Sequence, residues 1–295
     1  MHNFFQKLIN LDQNLLTIIL ITVFYTVEQI FKTPHQFKKR GIHLLNNFVF
    51  EILFVIVFFF VASFQVWSIR ELNSYHLGLF YFLKIPYVAK VIIGVACFDL
   101  FAYWTHCLSH KVPLIWRLHR VHHSDTTMDS STYFRGHPLE LTFAATNIIG
   151  AFVFGLDINI LTLYFLILLP FQIAEHSNIE FPEWLNNTVG FIFTTPNMHK
   201  IHHHKDQEYT DSNYADIFII WDRLFGTYTY VPVKQIPYGL DEFDDKKKQT
   251  FWYLIKSPFL KMDRISGASE TRVIVMKFSD GKTENNKNQH VNRDR

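Results

Sequence analysis

Histidines carry the chemistry of this sequence. Five of them, His106, His110, His119, His122 and His123, fall within eighteen positions. Three more, His199, His202 and His203, repeat the H-x2-H-H spacing of the last three. Residues three or four apart share a helix face, so each group aims its rings at one point. Neutral imidazole is a ligand for iron, zinc, nickel and copper. Eight rings converging in this way suffice for more than one metal ion. Adjacent histidines on a helix diverge by ~100°. His122–His123 and His202–His203 therefore either serve different ions or flank one cavity.

Weaker candidates surround this constellation. Asp99 and Tyr103 precede His106 by seven and three positions and share its face. A carboxylate there is expected to accept a hydrogen bond from a ligating ring, which fixes the tautomer and raises ligand basicity. His137 sits in Arg135-Gly136-His137-Pro138-Leu139-Glu140 and His176 in Glu175-His176-Ser177-Asn178. Taken alone, each reads as an interfacial polar residue. The role of His204 stays open, and His2, His35, His43, His76 and His290 lie outside any cluster.

Long apolar runs position these residues. The first is about Leu15–Phe31, near the lower limit of the roughly 17–25 residues that cross a bilayer. It reads as a retained anchor, since no signal-peptide cleavage pattern follows Met1. Phe48–Ser68 is the second run, with Glu51 near one end. Leu79–Thr105 is the third, interrupted by Lys84, Pro86 and Lys90, and it runs into His106. Leu139–Ala174 would extend ~54 Å as one helix, too long for one crossing and short for two. Gly155-Leu156-Asp157 predicts a break, hence a hairpin of two short, tilted or re-entrant helices. An even number of crossings there lets both histidine groups meet on one membrane face. Lys32, Lys38, Lys39 and Arg40 put the first loop, and so the histidines, on the cytoplasmic side.

The expected fold is therefore an all-α polytopic membrane protein. It has about four transmembrane helices plus the hairpin, capped by a cytoplasmic helical histidine-rich region. Residues 1–98 form N-terminal membrane helices, and residues 99–230 a catalytic region that includes the hairpin at 139–174. Residues 231–295 form a polar, partly disordered C-terminal segment, in which Lys246-Lys247-Lys248 is a solvated patch. A net charge of +2 gives no reason to expect nucleic acid. Two cysteines make no disulfide framework, and Cys107 reads as packing.

The absence of H-E-x-x-H removes the main support for a zincin-like protease. A thiolate-free histidine site suits non-haem iron, and iron beside a bilayer suggests O2 activation on a lipid C–H bond. The rival readings are a zinc-dependent membrane hydrolase and a non-enzymatic metal-handling membrane protein, a carrier or sensor. A carrier's ligands should line a path through the bilayer.

With these motifs in hand, the chain resembles the fatty acid hydroxylase/sterol desaturase superfamily of membrane non-haem di-iron enzymes. The resemblance runs from about Asp99 to Tyr228. It rests on Asp99-x3-Tyr103-x2-His106-x3-His110, Trp116-Arg117-x-His119-x2-His122-His123, and Arg135-x-His137-Pro138-Leu139-Glu140. It continues through His176-Ser177-Asn178, His199-x2-His202-His203 and Asn213-Tyr214-x6-Trp221-Asp222-x-Leu224-Phe225-Gly226-Thr227.

This resemblance implies two iron ions held only by histidines, with zinc as a replacement in purified material. It adds His137 and His176 to the expected ligands and places Asp99, Tyr103 and Asn178 around them. In Trp221–Thr227 it makes Gly226 a helix end and gives Asp222 a nearby base. The implied reaction uses O2 and two electrons to hydroxylate or desaturate a lipid that enters from the bilayer. No cytochrome b5-like or ferredoxin-like segment is evident. Electrons are thus expected from a separate donor: a cytochrome b5-like protein, or ferredoxin or rubredoxin with a reductase. Arg117, Arg120 and Lys200 read as solvated charges, or as attractants for an acidic donor.

Overall fold

The computed structural model describes residues 7–30, 40–83, 85–233 and 236–261. The basic loop residues Lys32, Lys38 and Lys39, together with His2, His35, Lys84, His290 and the polar tail from residue 262 on, lie outside the described residues. Among the described residues the regular structure is helical, with one isolated bridge between His204 and Tyr238.

Four helices are long and apolar enough to cross a membrane: α1 (Gln13–Ile30), α2 (Arg40–Ser74), α3 (Tyr87–Lys111) and, after the short α4 (Pro113–His123) and α5 (Thr142–Phe154), α6 (Ile158–His176). Their number, length and composition are those of a polytopic integral membrane protein. α1 and α2 leave Ile18, Phe59, Phe60 and Trp67 exposed, as helices facing lipid do. α3 and α6 form the interior, where Phe98 stacks on Tyr164 and Val91, Val95 and Ile160 are buried.

The chain breaks where its residues require it. The expected hairpin is α5 and α6, joined at Gly155, which has φ 68°. A Cβ at Gly155 would meet the Leu77 carbonyl oxygen at 2.9 Å, so the turn needs both the left-handed backbone and the missing side chain. Asp157 starts α6 by accepting from the Asn159 and Ile160 N–H groups. At 13 residues α5 rises about 20 Å, short of the ~30 Å hydrocarbon core, whereas the 19 residues of α6 reach across it.

α2 is longer than its apolar run implies: 35 residues, about 52 Å. Its excess length carries His43 and Asn47 into the histidine cap. There His43 Nε2 lies 2.9 Å from Asp125 Oδ2, and the Asn47 amide donates to Ser131 Oγ at 3.0 Å. Val112 is extended between α3 and α4, and Pro113 opens α4 at a position that needs no N–H. This bend turns His119 and His123 back toward His106 and His110. A further short helix, α7 (Pro196–His202), is capped by Thr195 and carries the third histidine group.

Candidate metal centre

Nine histidines collect into two groups. His106, His110, His119, His123 and His202 form one, and His122, His176, His199 and His203 the other. In each group one nitrogen per ring lies within 4.8 Å of the rest. The ~100° divergence of adjacent helical residues does the sorting. His122 and His123 enter different groups, as do His203 and His202.

Hydrogen bonds at the far ring nitrogens fix which atom faces inward. His106 Nδ1 lies 2.7 Å from the Tyr214 carbonyl oxygen, and His202 Nδ1 lies 2.7 Å from the Ser212 carbonyl oxygen. His119 Nδ1 lies 2.7 Å from Glu140 Oε1, and His176 Nδ1 lies 2.5 Å from the Gln172 carbonyl oxygen. A carbonyl or carboxylate only accepts, so Nδ1 carries the proton and, in a neutral ring, Nε2 is a bare lone pair.

Those bare atoms face one another. His106 Nε2 and His119 Nε2 are 3.1 Å apart, and His176 Nε2 is 3.0 Å from His199 Nε2. Two lone pairs at that distance repel. The Nε2 atoms of His110 and His202 are buried without any hydrogen-bond partner. A cation resolves all of this. Metal–nitrogen bonds of 2.0–2.1 Å at 90–109° put neighbouring nitrogens about 2.9–3.4 Å apart, which matches the observed spacing. The donor set therefore fits a metal ion.

The rings are held neutral. Burial, reinforced by the neighbouring rings, drives His122, His123, His199 and His203 well below the ordinary imidazole value. Burial takes His202 down to about 3. Uncharged imidazole is the form that binds metal.

The expected surroundings rearrange. Asp99 does not bond to a histidine ring. It accepts from the Ile217 and Phe218 N–H groups and from Trp221 Nε1 at 2.8 Å. Among the described residues Asp222 pairs with no base: it accepts from the Tyr214 and Ala215 N–H groups and from the Thr227 hydroxyl, which also contacts the Tyr103 hydroxyl at 2.8 Å. Asn213, left-handed at φ 51°, ties the same loop to the Met198 and Thr229 carbonyls. Asp99, Tyr103 and Asp222 thus act through the 212–222 loop, which presents the Ser212 and Tyr214 carbonyls to His202 and His106. Asn178 donates its backbone N–H to Glu28 Oε1 at 3.0 Å, linking the end of α6 to α1.

His137 joins neither group. Its Nε2 lies 3.2 Å from the Ile255 carbonyl oxygen and its Nδ1 accepts from the Leu139 N–H, so both ring nitrogens are taken. His137 lines the same cavity as five of the nine but contributes no nitrogen to either group. Two expected surface cations are interior. Arg120 pairs with Glu242 at 2.8 Å and donates to the Ser257 carbonyl, and Lys200 donates to the Ile179 carbonyl. Burial lowers the Lys200 ammonium to about 7. Glu140 and Glu175 have roles the spacing did not predict. Glu140 holds His119, and Glu175 lies 3.8 Å from His199 Nδ1. Glu140 closes the Arg135-x-His137-Pro138-Leu139-Glu140 motif, whereas backbone carbonyl acceptors leave no side-chain signal in a sequence.

A cavity of about 360 Å3 opens beside both groups, lined by His106 and His119 from one and His122, His176 and His199 from the other. Its walls come from α1, α2, α5 and α6 and mix apolar residues (Phe54, Phe58, Leu168) with polar ones. Such a chamber suits an amphiphile.

Residues 91–227, the stretch that holds all nine histidines, match the model of the fatty acid hydroxylase family. This stretch, a little under half of the chain, is similar to the fatty acid hydroxylase domain. Similar proteins include an alkylglycerol monooxygenase of Xenopus tropicalis, 32% identical over 48% of this chain and 31% of its own length. An ornithine lipid hydroxylase of Rhizobium tropici is 26% identical over 50% of this chain and 44% of its own. A cholesterol 25-hydroxylase-like protein of Danio rerio is 28% identical over 55% of this chain and 66% of its own. The chain thus spans about a third of the alkylglycerol monooxygenase. No solved structure gives a significant match. All three relatives fall in the superfamily of the fatty acid hydroxylase domain.

Proposed function

We propose that this chain is a membrane-bound non-haem di-iron oxidoreductase that uses O2 and two electrons to hydroxylate or desaturate a C–H position of a lipid. One observation carries the reading: two all-histidine groups share the wall of one amphipathic cavity at the head of membrane helices. The relatives' names, which are those of lipid monooxygenases and hydroxylases, support it. Residues 99–230 are the catalytic region. Iron, held by His106, His110, His119, His123 and His202 and by His122, His176, His199 and His203, supplies the power to oxidise a C–H bond with O2.

Five imidazoles exceed the four-coordinate preference of a structural zinc site and favour iron in the first group. The protein's own part is to hold the rings neutral and oriented, to exclude bulk water, and to seat the lipid against His106, His119 and His176. Electrons come from a separate donor, a cytochrome b5-like protein or a ferredoxin or rubredoxin with its reductase. The histidine cap lies on the cytoplasmic side, as the basic first loop argues.

Membranes from cells expressing the chain, compared with those expressing a His119→Ala/His199→Ala variant, test this reading under 18O2. A lipid product that needs O2, carries 18O or a new double bond, and vanishes in the variant is expected. Equal lipid profiles with and without O2 would contradict it.

A further inference from the structure

Two oxidisable side chains lie against the first histidine group. The Trp116 ring is 5.0 Å from that of His110 and 5.6 Å from that of His123. The Tyr214 ring is 5.1 Å from His110, 5.6 Å from His106 and 5.6 Å from His202. Among the described residues Trp116 is buried and its ring touches only histidines, so it leads nowhere. Tyr214 leads outward. Its ring is 6.3 Å from that of Tyr103, which is 5.3 Å from that of Trp104. Tyr103 is 1% exposed and Trp104 46%, so three rings connect the first group to the surface. Trp104 stands one residue before the end of its apolar run, at a depth where indoles meet water.

Tyr103 also has a path for its proton. Thr227 has one hydroxyl hydrogen and gives it to Asp222 Oδ1 at 2.6 Å. The Tyr103 hydroxyl, 2.8 Å from Thr227 Oγ1, is therefore the donor in that pair. Phenol, hydroxyl and carboxyl stand in a row, and Asp222 at its end is fully buried. A buried phenol that gives up an electron but keeps its proton becomes a cation, which burial disfavours. The row lets Tyr103 lose both together and stay neutral.

We propose that Tyr214, Tyr103 and Trp104 form a route by which oxidising equivalents leave the first histidine group, with Thr227 and Asp222 taking the Tyr103 proton and a thiol restoring Trp104 at the surface. The assignment rests on reading the first group as an iron site that meets O2. The oxidant is hydrogen peroxide, which O2, two electrons and two protons form when no lipid C–H bond takes the oxygen. Peroxide needs two electrons and two protons to become water. For each electron, Tyr103 yields one through Tyr214, and its proton moves to Thr227 as the Thr227 proton moves to Asp222. Trp104 then gives an electron to Tyr103, whose proton returns along the same row, and sheds its indole proton to water. A thiol returns an electron and a proton to Trp104. Two thiols end as a disulfide and the peroxide as two waters, with solvent supplying the protons that Trp104 released to it. The histidine rings are spared.

The test uses the full chain in detergent, reconstituted anaerobically with ferrous iron and then mixed with hydrogen peroxide, with no lipid substrate added. Frozen samples are read by electron paramagnetic resonance and digests by mass spectrometry, and iron per chain is measured on every sample. A tyrosyl signal that narrows with ring-deuterated tyrosine is expected, together with added oxygen on Trp104. In Tyr103→Phe, which keeps the ring, the signal should vanish and Trp104 oxidation should drop to the metal-free level. Added oxygen should then move to Trp116 and His110. In Trp104→Phe the tyrosyl signal should outlast the parent's. Thr227→Val, which removes the proton acceptor, should lose the signal too, and decides the matter if Tyr103→Phe fails to hold iron. A signal that survives in Tyr103→Phe, as a radical on Tyr133 beside His176 would, overturns the route. Equal Trp104 oxidation in that variant, or an unchanged signal lifetime in Trp104→Phe, does the same. Iron-loaded protein without any tyrosyl signal refutes the route and leaves the iron reading standing, whereas a chain that takes up no iron ends both.

Discussion

His122 and His123 are neighbours on α4, yet His122 Nε2 lies 2.9 Å from His176 Nε2 while His123 Nε2 lies 3.1 Å from His119 Nε2. One peptide bond thus couples two ligand groups. The rings of His123 and His203, one from each group, stack at 4.4 Å and keep the two groups adjacent. The variants His122→Ala and His123→Ala should therefore differ. The first leaves its group three ligands and the second leaves four. Metal per chain after dialysis against a mild chelator should fall to about half in His122→Ala and fall less in His123→Ala. Identical losses would show that the groups act as one site.

Glu140 orients His119 and is not itself among the grouped ligands. Glu140→Ala should cost about 10–100-fold in metal affinity or activity, and Glu140→Gln, which still offers an oxygen to Nδ1, clearly less. A competition titration with a metal indicator measures both. Equal defects in the two variants would make Glu140 a ligand and contradict its positioning role.

Asp99 satisfies three donors of the 217–221 segment. Asp99→Asn leaves at least one of them poorly paired, at a cost of about 1–3 kcal/mol. Hydrogen exchange should rise across residues 212–222 before metal is lost. Loss of metal with unchanged exchange there would put Asp99 in direct contact with the ligands.

Burial, then the nearby Asp99, raises the Asp216 carboxyl from its ordinary value to about 8. Between about pH 4 and pH 8 the folded chain holds a proton at Asp216 that the unfolded chain has released, so this group lowers stability as pH rises through that window. Asp216→Asn removes the dependence. Its melting temperature should exceed the parent's by a few degrees at pH 8 and converge with it near pH 4. A variant that is less stable at pH 8 would reverse the sign.

Much of this architecture is readable from the chain. Helix periodicity and H-x2-H-H spacing point to eight of the rings that come together in the two groups, because 100° per residue is a property of the backbone. His176 was reached through its motif alone. The break at Gly155 follows from length and glycine. His137 misleads because its motif gives no hint that Ile255 and Leu139 occupy both ring nitrogens. Asp99 shares a face with His106, but a side chain on that face has two neighbours to choose from, and the 217–221 segment supplies two backbone N–H groups and the Trp221 indole N–H to the ring's one donor. Arg120 and Lys200 look solvated in sequence because their partners, Glu242 and the Ile179 carbonyl, lie far away in the chain or in its backbone. His43 stood outside every cluster until the added length of α2 brought it to Asp125 and Asp129.

Metal analysis of the detergent-purified full chain, after anaerobic reconstitution with ferrous iron, tests the central claim most directly. The account predicts about two irons per chain, and loss of more than half of them when His119 and His199, one from each group, are both replaced by alanine. Folded protein that binds no stoichiometric metal, or a double variant that retains it in full, would contradict the account.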